Sequence, residues 1–154
     1  VLHEVGLDAA LNWLGHQFQE STGIHCRVTA EGDGPELGED IRTMAFQSVR
    51  ELLANIRKHS QTEECSISMN YVEGFLTVLV EDRGQGFEFN RARDRTLDKE
   101  SQGGFGLFSI RERMRSIGGR MLVDSQPGKG CRVFLTFPND YQVPASQVGP
   151  TPEY

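Results

Sequence analysis

The sequence predicts a two-layer α/β sandwich, in which a mixed, mostly antiparallel sheet is covered on one face by about three helices. Three observations predict it. Long stretches with helical spacing of apolar residues alternate along the chain with short stretches rich in β-branched residues. Four of the five predicted strands come as two consecutive pairs, each joined by a short Gly-containing turn, and hairpin-linked strands exclude an all-parallel sheet. The 154 residues, 37% hydrophobic and 25% charged, are enough for one ordinary globular core.

The first helix is expected from Asp8 to Ser21, with Asp8 as N-cap and Leu7, Leu11, Leu14 and Phe18 recurring on one face. Ile24 to Ala30 reads as a strand, ended by Gly32-Asp33-Gly34-Pro35. A long helix is expected from Glu39 to Lys58, with Ile41, Ala45, Val49, Leu52 and Ile56 along its buried face. Cys65–Tyr71 and Phe75–Asp82 read as strands around Glu73-Gly74. Residues 88–102 are polar and aperiodic, a length more often found in functional lids than in plain connections. Phe105–Ile117 reads as a helix closed by Gly118-Gly119, and Arg120–Ser125 with Cys131–Phe137 as a last hairpin. Beyond Pro138 three further prolines and little apolar content predict a disordered tail or linker over 139–154, leaving 1–138 as the folded domain.

A net charge of −6 gives no basic surface for bulk nucleic-acid binding. Cys26, Cys65 and Cys131 are odd in number, distant along the chain and in no Cys-x-x-Cys arrangement, so neither a disulfide framework nor a zinc site is expected, and a reducing compartment fits. The histidines show no metal-ligand spacing. No apolar run approaches a membrane span and no signal peptide is visible, which predicts no direct membrane contact and a cytoplasmic location. The chain opens at Val1 without methionine and is expected to be a piece of something longer, monomeric by itself.

Three short segments carry candidate chemistry. Glu51, Asn55 and His59 are spaced i, i+4, i+8 on the long helix, and each step of four turns the helix by only roughly 40°. They form one stripe along the border of the apolar face, where a carboxylate and an amide can look into a cleft and hold Mg²⁺; a solvated helix edge is the other reading. Asp82 shares the buried face of its strand with Leu76, Val78 and Val80. A carboxylate there needs a partner, such as an adenine exocyclic amine, unless Asp82-Arg83-Gly84-Gln85-Gly86-Phe87 is an ordinary strand-closing turn. Gly103-Gly104-Phe105-Gly106-Leu107 opens the next helix, and a glycine-rich helix N-terminus bares N–H groups to an anion such as a triphosphate; a flexible hinge is compatible with that. No G-x-x-x-x-G-K-[ST] occurs, and neither G-x-G has the third glycine or the strand-to-helix context of a dinucleotide fingerprint.

In this order the three segments resemble the N, G1 and G2 boxes of the GHKL superfamily of Bergerat-fold ATPases, which includes histidine kinases, gyrase B subunits and heat-shock chaperones. The N box corresponds to Glu51 through His59, the G1 box to Asp82 through Phe87, and the G2 box to Gly104 through Leu107. The likeness covers about Gly6 to Pro138. Gly6-Leu7-Asp8-Ala9-Ala10-Leu11 with Trp13, and Ser109-Ile110-Arg111-Glu112-Arg113-Met114 before Gly118-Gly119, are similar to the nitrate-sensor and DesK-like branch of sensor histidine kinases.

The resemblance implies a Mg-ATP-binding catalytic domain that donates the γ-phosphoryl to a histidine on a dimerisation domain outside this chain. It implies a homodimeric parent and a response regulator as downstream partner. Asn55, with Glu51, would hold Mg²⁺, and Glu51 would support the metal or polarise the attacking group. Lys58 would touch phosphate and His59 would pack near the adenosine. Asp82 would accept the adenine amine, with Gly84, Gly86 and Phe87 shaping the pocket. Gly104, Gly106 and Leu107 would form the lid end over the phosphates. Arg91, Arg93, Arg95 and Lys99 would be the lid's candidate phosphate contacts. Many relatives have threonine after the last hairpin's glycine, where this chain has Cys131, a poor replacement for a hydroxyl. His3 precedes the matched region and is not read as the phosphoacceptor. The alternative is an anti-sigma-factor-type serine kinase or a nucleotide-gated interaction module of the same fold.

Overall fold

The structure is a computed structural model and describes residues 2–32, 37–72, 74–87 and 104–138. The expected lid, with Arg91, Arg93, Arg95 and Lys99, and the expected tail over 139–154 lie outside the described residues. The order of elements is α1 (Leu2–Thr22), β1 (His25–Glu31), α2 (Glu39–Asn55), a π-helical turn (Ile56–Ser60), β2 (Glu64–Val72), β3 (Phe75–Asp82), α3 (Gly104–Ser116), β4 (Arg120–Ser125) and β5 (Cys131–Pro138).

The five strands form one sheet in the order β1-β2-β3-β5-β4. Only β1 and β2 run parallel, joined by the α2 crossover; the other three pairings are antiparallel. The sheet is therefore mixed and mostly antiparallel, as the hairpin signals predict. One face is buried beneath the helices. Ile67 and Met69 of β2, Leu76, Val78 and Val80 of β3, and Val133, Leu135 and Phe137 of β5 meet Leu11 of α1, Val49 and Leu52 of α2, and Ile110 and Met114 of α3 in a single core. The period-two alternation of β3 carries Asp82 onto this same face at the strand's end, where it is 6% exposed.

Two helices differ from expectation. α1 begins before Asp8, because Gly6 (φ 77°, ψ 174°) joins a preceding helical piece to the main one. Only glycine takes that backbone without strain. Asp8 thus lies in the first turn rather than at the cap. The long helix does not run evenly to Lys58: it is α-helical to Asn55 and then widens into the π turn, ended by Gln61 in the left-handed region (φ 54°). The turn buries both Ile56 and Ser60, and such turns are often found at functional sites.

Candidate functional site

A cleft with about 720 Å³ of empty space, its open mouth included, lies between α2, the π turn, the ends of β3 and β5, and the first turn of α3. Leu52, Asn55 and Ile56 form one wall, His59, Ser60 and Gln85 a second, and Val80 and Val133 an apolar floor that ends in Asp82 and Cys131.

The loop after β3 is held against the π turn by its backbone. Gln85 donates its N–H to the Ser60 carbonyl (2.7 Å), and its side-chain amide donates to the His59 carbonyl. The widened turn would otherwise leave those end-of-helix carbonyls without partners. Two glycines are needed for this approach. A Cβ on Gly84 would lie 2.0 Å from the Ser60 carbonyl oxygen; one on Gly86, at φ +63°, would lie 2.1 Å from the Gln126 carbonyl oxygen. Ser125 Oγ fixes the far side by accepting from the Phe87 N–H (3.0 Å) and donating to the Gly130 carbonyl (3.0 Å).

Asp82 is the polar centre of the cleft. Its Oδ1 accepts the Gly84 N–H at 2.8 Å. Burial pushes its carboxyl above the ordinary range, opposed by the Gly84 N–H and the nearby Ser60 hydroxyl. Ser60 Oγ itself is buried and has no hydrogen bond of good geometry, so its pull on the carboxylate is a short-range dipole effect. Cys131, opposite Asp82 in the β3–β5 register, has its thiol pushed up to about 12, first by burial and then by the Asp82 charge. Asp82 thus lines the cleft with the Gly84 N–H on one of its oxygens. That fits a ligand with an N–H donor, such as a purine amine.

Of the residues singled out from the sequence, Asn55, His59, Asp82, Gly86, Phe87, Leu107 and Cys131 line the cleft together. Gly84 stands just behind the lining as a backbone spacer. Gly104 opens α3, and Gly106 lies in its first turn beside the cleft-lining Leu107. Lys58 is exposed and does not line the cleft. Glu51 does not line it either: its Oε1 is bonded to Arg113 Nη2 of α3, so the predicted stripe is divided one turn below Asn55. Sequence reasoning missed Ser60, Gln85 and Arg113. Gln85 was at least within a marked motif, whereas Ser60 carried no signal of its own.

Asn55 lines the cleft with a side-chain amide, but no cluster of three or more His, Cys, Asp or Glu side chains among the described residues forms a metal cage. A cation here would depend on ligand phosphates for most of its coordination, which is how Mg²⁺ is commonly held. Among the described residues no helix is long and apolar enough to cross a membrane.

Comparison with known proteins agrees with this geometry. The profile of the histidine kinase-, DNA gyrase B- and HSP90-like ATPase family matches residues 39–141. The chain is 29% identical over 89% of its length to the signal transduction histidine-protein kinase/phosphatase DegS of Brevibacillus brevis, covering 33% of that protein. It is 31% identical over 89% of its length to the oxygen sensor histidine kinase NreB of Staphylococcus carnosus, covering 38% of it. The chain therefore spans about a third of the length of these relatives. Among solved structures, full-length ShkA in complex with AMPPNP superposes with a TM-score of 0.71 at 19% identity, over 90% of this chain and 31% of that one. The histidine kinase domain of the Erythrobacter litoralis EL346 blue-light activated histidine kinase gives 0.66 at 20%, over 86% and 61%; at such identities the fold is what is shared. The chain belongs to the histidine kinase-, DNA gyrase B- and HSP90-like ATPase family.

Proposed function

We propose that this domain binds Mg-ATP in the cleft and donates the γ-phosphoryl to a histidine on a dimerisation domain outside the chain, from which a response regulator is phosphorylated in turn. The observation that carries the reading is Asp82: a buried carboxylate at the end of an apolar floor, with one N–H on one oxygen and room for a donor at the other. An adenine amine meets that need. Val80, Val133, Ile56 and Leu107 would enclose the ring, with His59 and Phe87 at its edges and Cys131 beside Asp82.

Asn55 would hold Mg²⁺, which when bound would neutralise phosphate charge. Glu51 stands one turn below, paired with Arg113, and would support the metal site indirectly by fixing the helix that carries Asn55. Lys58 would reach phosphate from the rim. The N–H groups from Gly104 through Gly106 would face it from the start of α3, where the helix dipole favours negative charge. The protein's contribution to phosphoryl transfer is then positioning and charge neutralisation. The parent would be a cytoplasm-facing homodimer with this catalytic unit at 1–138.

Calorimetric titration with ATP, with and without Mg²⁺, tests the reading directly. Binding strengthened by Mg²⁺ is expected, and Asn55→Ala should remove the Mg²⁺ gain while leaving the thermal unfolding midpoint within about 2 °C of wild type, as for other surface-edge substitutions. A folded sample indifferent to millimolar ATP would refute it.

A further inference from the structure

Cys26 and Cys65, 39 positions apart in sequence, are in-register partners on β1 and β2. Both side chains face the helices: Cys65 belongs to the core, and Cys26 packs against it. In-register neighbours on paired strands are held about 4.8 Å apart by the ladder, within the roughly 4.4–6.8 Å separation of Cα atoms that a disulfide requires. We propose that Cys26 and Cys65 form an oxidisable dithiol, a modification site for peroxides that closes to an intramolecular disulfide.

The two thiols have different roles. Cys26 lies on β1, an edge strand, and is only partly buried. Its backbone N–H, on the open edge, donates to Gln19 Oε1 of α1 (3.1 Å). Gly15 of α1 packs so closely that a Cβ there would meet Cys26 Sγ at 3.2 Å. Cys65 is buried one strand further in. The neighbouring Cys65 thiol lowers the Cys26 pKa, while Cys26 and burial raise that of Cys65. A partly accessible thiol of lowered pKa beside a second, protonated thiol is the arrangement of an attacking and a resolving cysteine.

The chemistry balances. The Cys26 thiolate attacks the outer oxygen of a hydroperoxide and the O–O bond breaks; the other oxygen leaves as an alcohol, or as water from hydrogen peroxide, and Cys26 becomes a sulfenic acid. Cys65 sulfur then attacks that sulfur, the S–O bond breaks and water leaves with the Cys65 proton. Two thiols lose two electrons and two protons in all, and one peroxide is reduced. Cys131 takes no part, since β3 and Asp82 lie between it and Cys65. Its thiol is also pushed up to about 12 by burial and the Asp82 charge. No metal competes for the row: no suitable cluster exists among the described residues.

The test needs neither nucleotide nor partner, so it stands apart from the reading of the cleft. The folded chain is treated with hydrogen peroxide, quenched, unfolded in the presence of an alkylating agent, digested and mapped by mass spectrometry. The expected product is a cross-linked peptide pair joining Cys26 to Cys65, lighter by two hydrogens, with Cys131 alkylated and the bridge reversed by a dithiol reductant. The bridge would close a loop of about 40 residues and should raise the thermal midpoint by roughly 10 °C. Cys65→Ser should instead leave Cys26 as a sulfenic acid that dimedone traps. The proposal is overturned if Cys26 and Cys65 both remain alkylated in the wild-type chain, if Cys65 joins Cys131, or if Cys26 only bridges between molecules.

Discussion

The ion pair between Glu51 and Arg113 ties the Asn55-bearing helix to the helix whose first turn closes the cleft, and Arg113→Met would break it with little loss of packing. Breaking a fully buried pair from one side costs about 3–5 kcal/mol, because the remaining charge is stranded. An exposed pair is worth at most about 1 kcal/mol. Here the side chains are 24% and 36% exposed, so the pair stands between those limits. Glu51 Oε2 is already buried and without a partner. Losing Arg113 would therefore leave both oxygens unsatisfied, and a cost of about 1–3 kcal/mol follows. For a domain of this size, that is roughly 3–10 °C in thermal midpoint. The assay is a double-mutant cycle of wild type, Arg113→Met, Glu51→Gln and the double variant, followed by thermal and urea unfolding. Because the amide carries no charge to strand, Arg113→Met should cost far less in the Glu51→Gln background, with a coupling above about 1 kcal/mol. Additive losses, with coupling near zero, would mean that the two side chains act separately and would refute the clasp.

Two further substitutions examine the cleft. Asp82→Asn should weaken ATP binding by about 10- to 100-fold, the cost of losing a hydrogen bond to a charged acceptor, measured by calorimetry. The same substitution should raise thermal stability at neutral pH. The folded-state pKa of Asp82 is raised above its ordinary value of 3.8, so the native state binds its proton more tightly than the unfolded state, and wild-type stability falls as pH rises through that window. The advantage of Asp82→Asn should thus be full above the raised folded-state pKa, shrink as pH falls through the window, and be gone below about 3.8, as read from midpoints measured across pH. Gly84→Ala would drive a Cβ to 2.0 Å from the Ser60 carbonyl oxygen, forcing the loop off the π turn at about 1–3 kcal/mol, with loss of ATP binding. An unchanged urea midpoint would show that the loop moves freely.

The sheet and the two glycine-bearing segments were legible because each is a local signal. Period-two alternation carried Asp82 to the core face, and the hairpin turns fixed the antiparallel pairings. What was not legible depends on how distant elements settle against each other. No spacing rule relates Glu51 to Arg113, 62 residues away; their meeting depends on how α2 packs on α3. Cys26 and Cys65 look remote until the α2 crossover places β1 beside β2 in a particular register. The helical wheel treated Glu51, Asn55 and His59 as equivalent, but the π turn after Asn55 and the pull of Arg113 on Glu51 separate their surroundings. The break at Gly6 was hidden because glycine is silent about the sign of φ until neighbours require it.

The unsatisfied groups reinforce the assignment of the cleft. Among the described residues, the buried side-chain atoms without hydrogen-bond partners are Arg42 Nε, Ser48 Oγ, Glu51 Oε2, Ser60 Oγ and Arg113 Nη1. All of them belong to α2, to its π turn or to the arginine clasped to it. Folded chains satisfy most buried polar atoms, and local rules are most often broken at functional sites. Ser60 lines the cleft, and the Glu51 pair joins two of its walls. A ligand that hydrogen-bonds Asp82 would offset part of that carboxylate's desolvation only in the bound state. The helix carrying Asn55 should therefore be stabilised by nucleotide more than the β2–β3 hairpin, whose own ladder is complete without it. Hydrogen exchange with and without ATP reads that difference directly: protection should rise along α2 and the π turn and stay level in β2. An even gain over the whole chain would mean that the ligand stabilises the fold globally rather than through this helix.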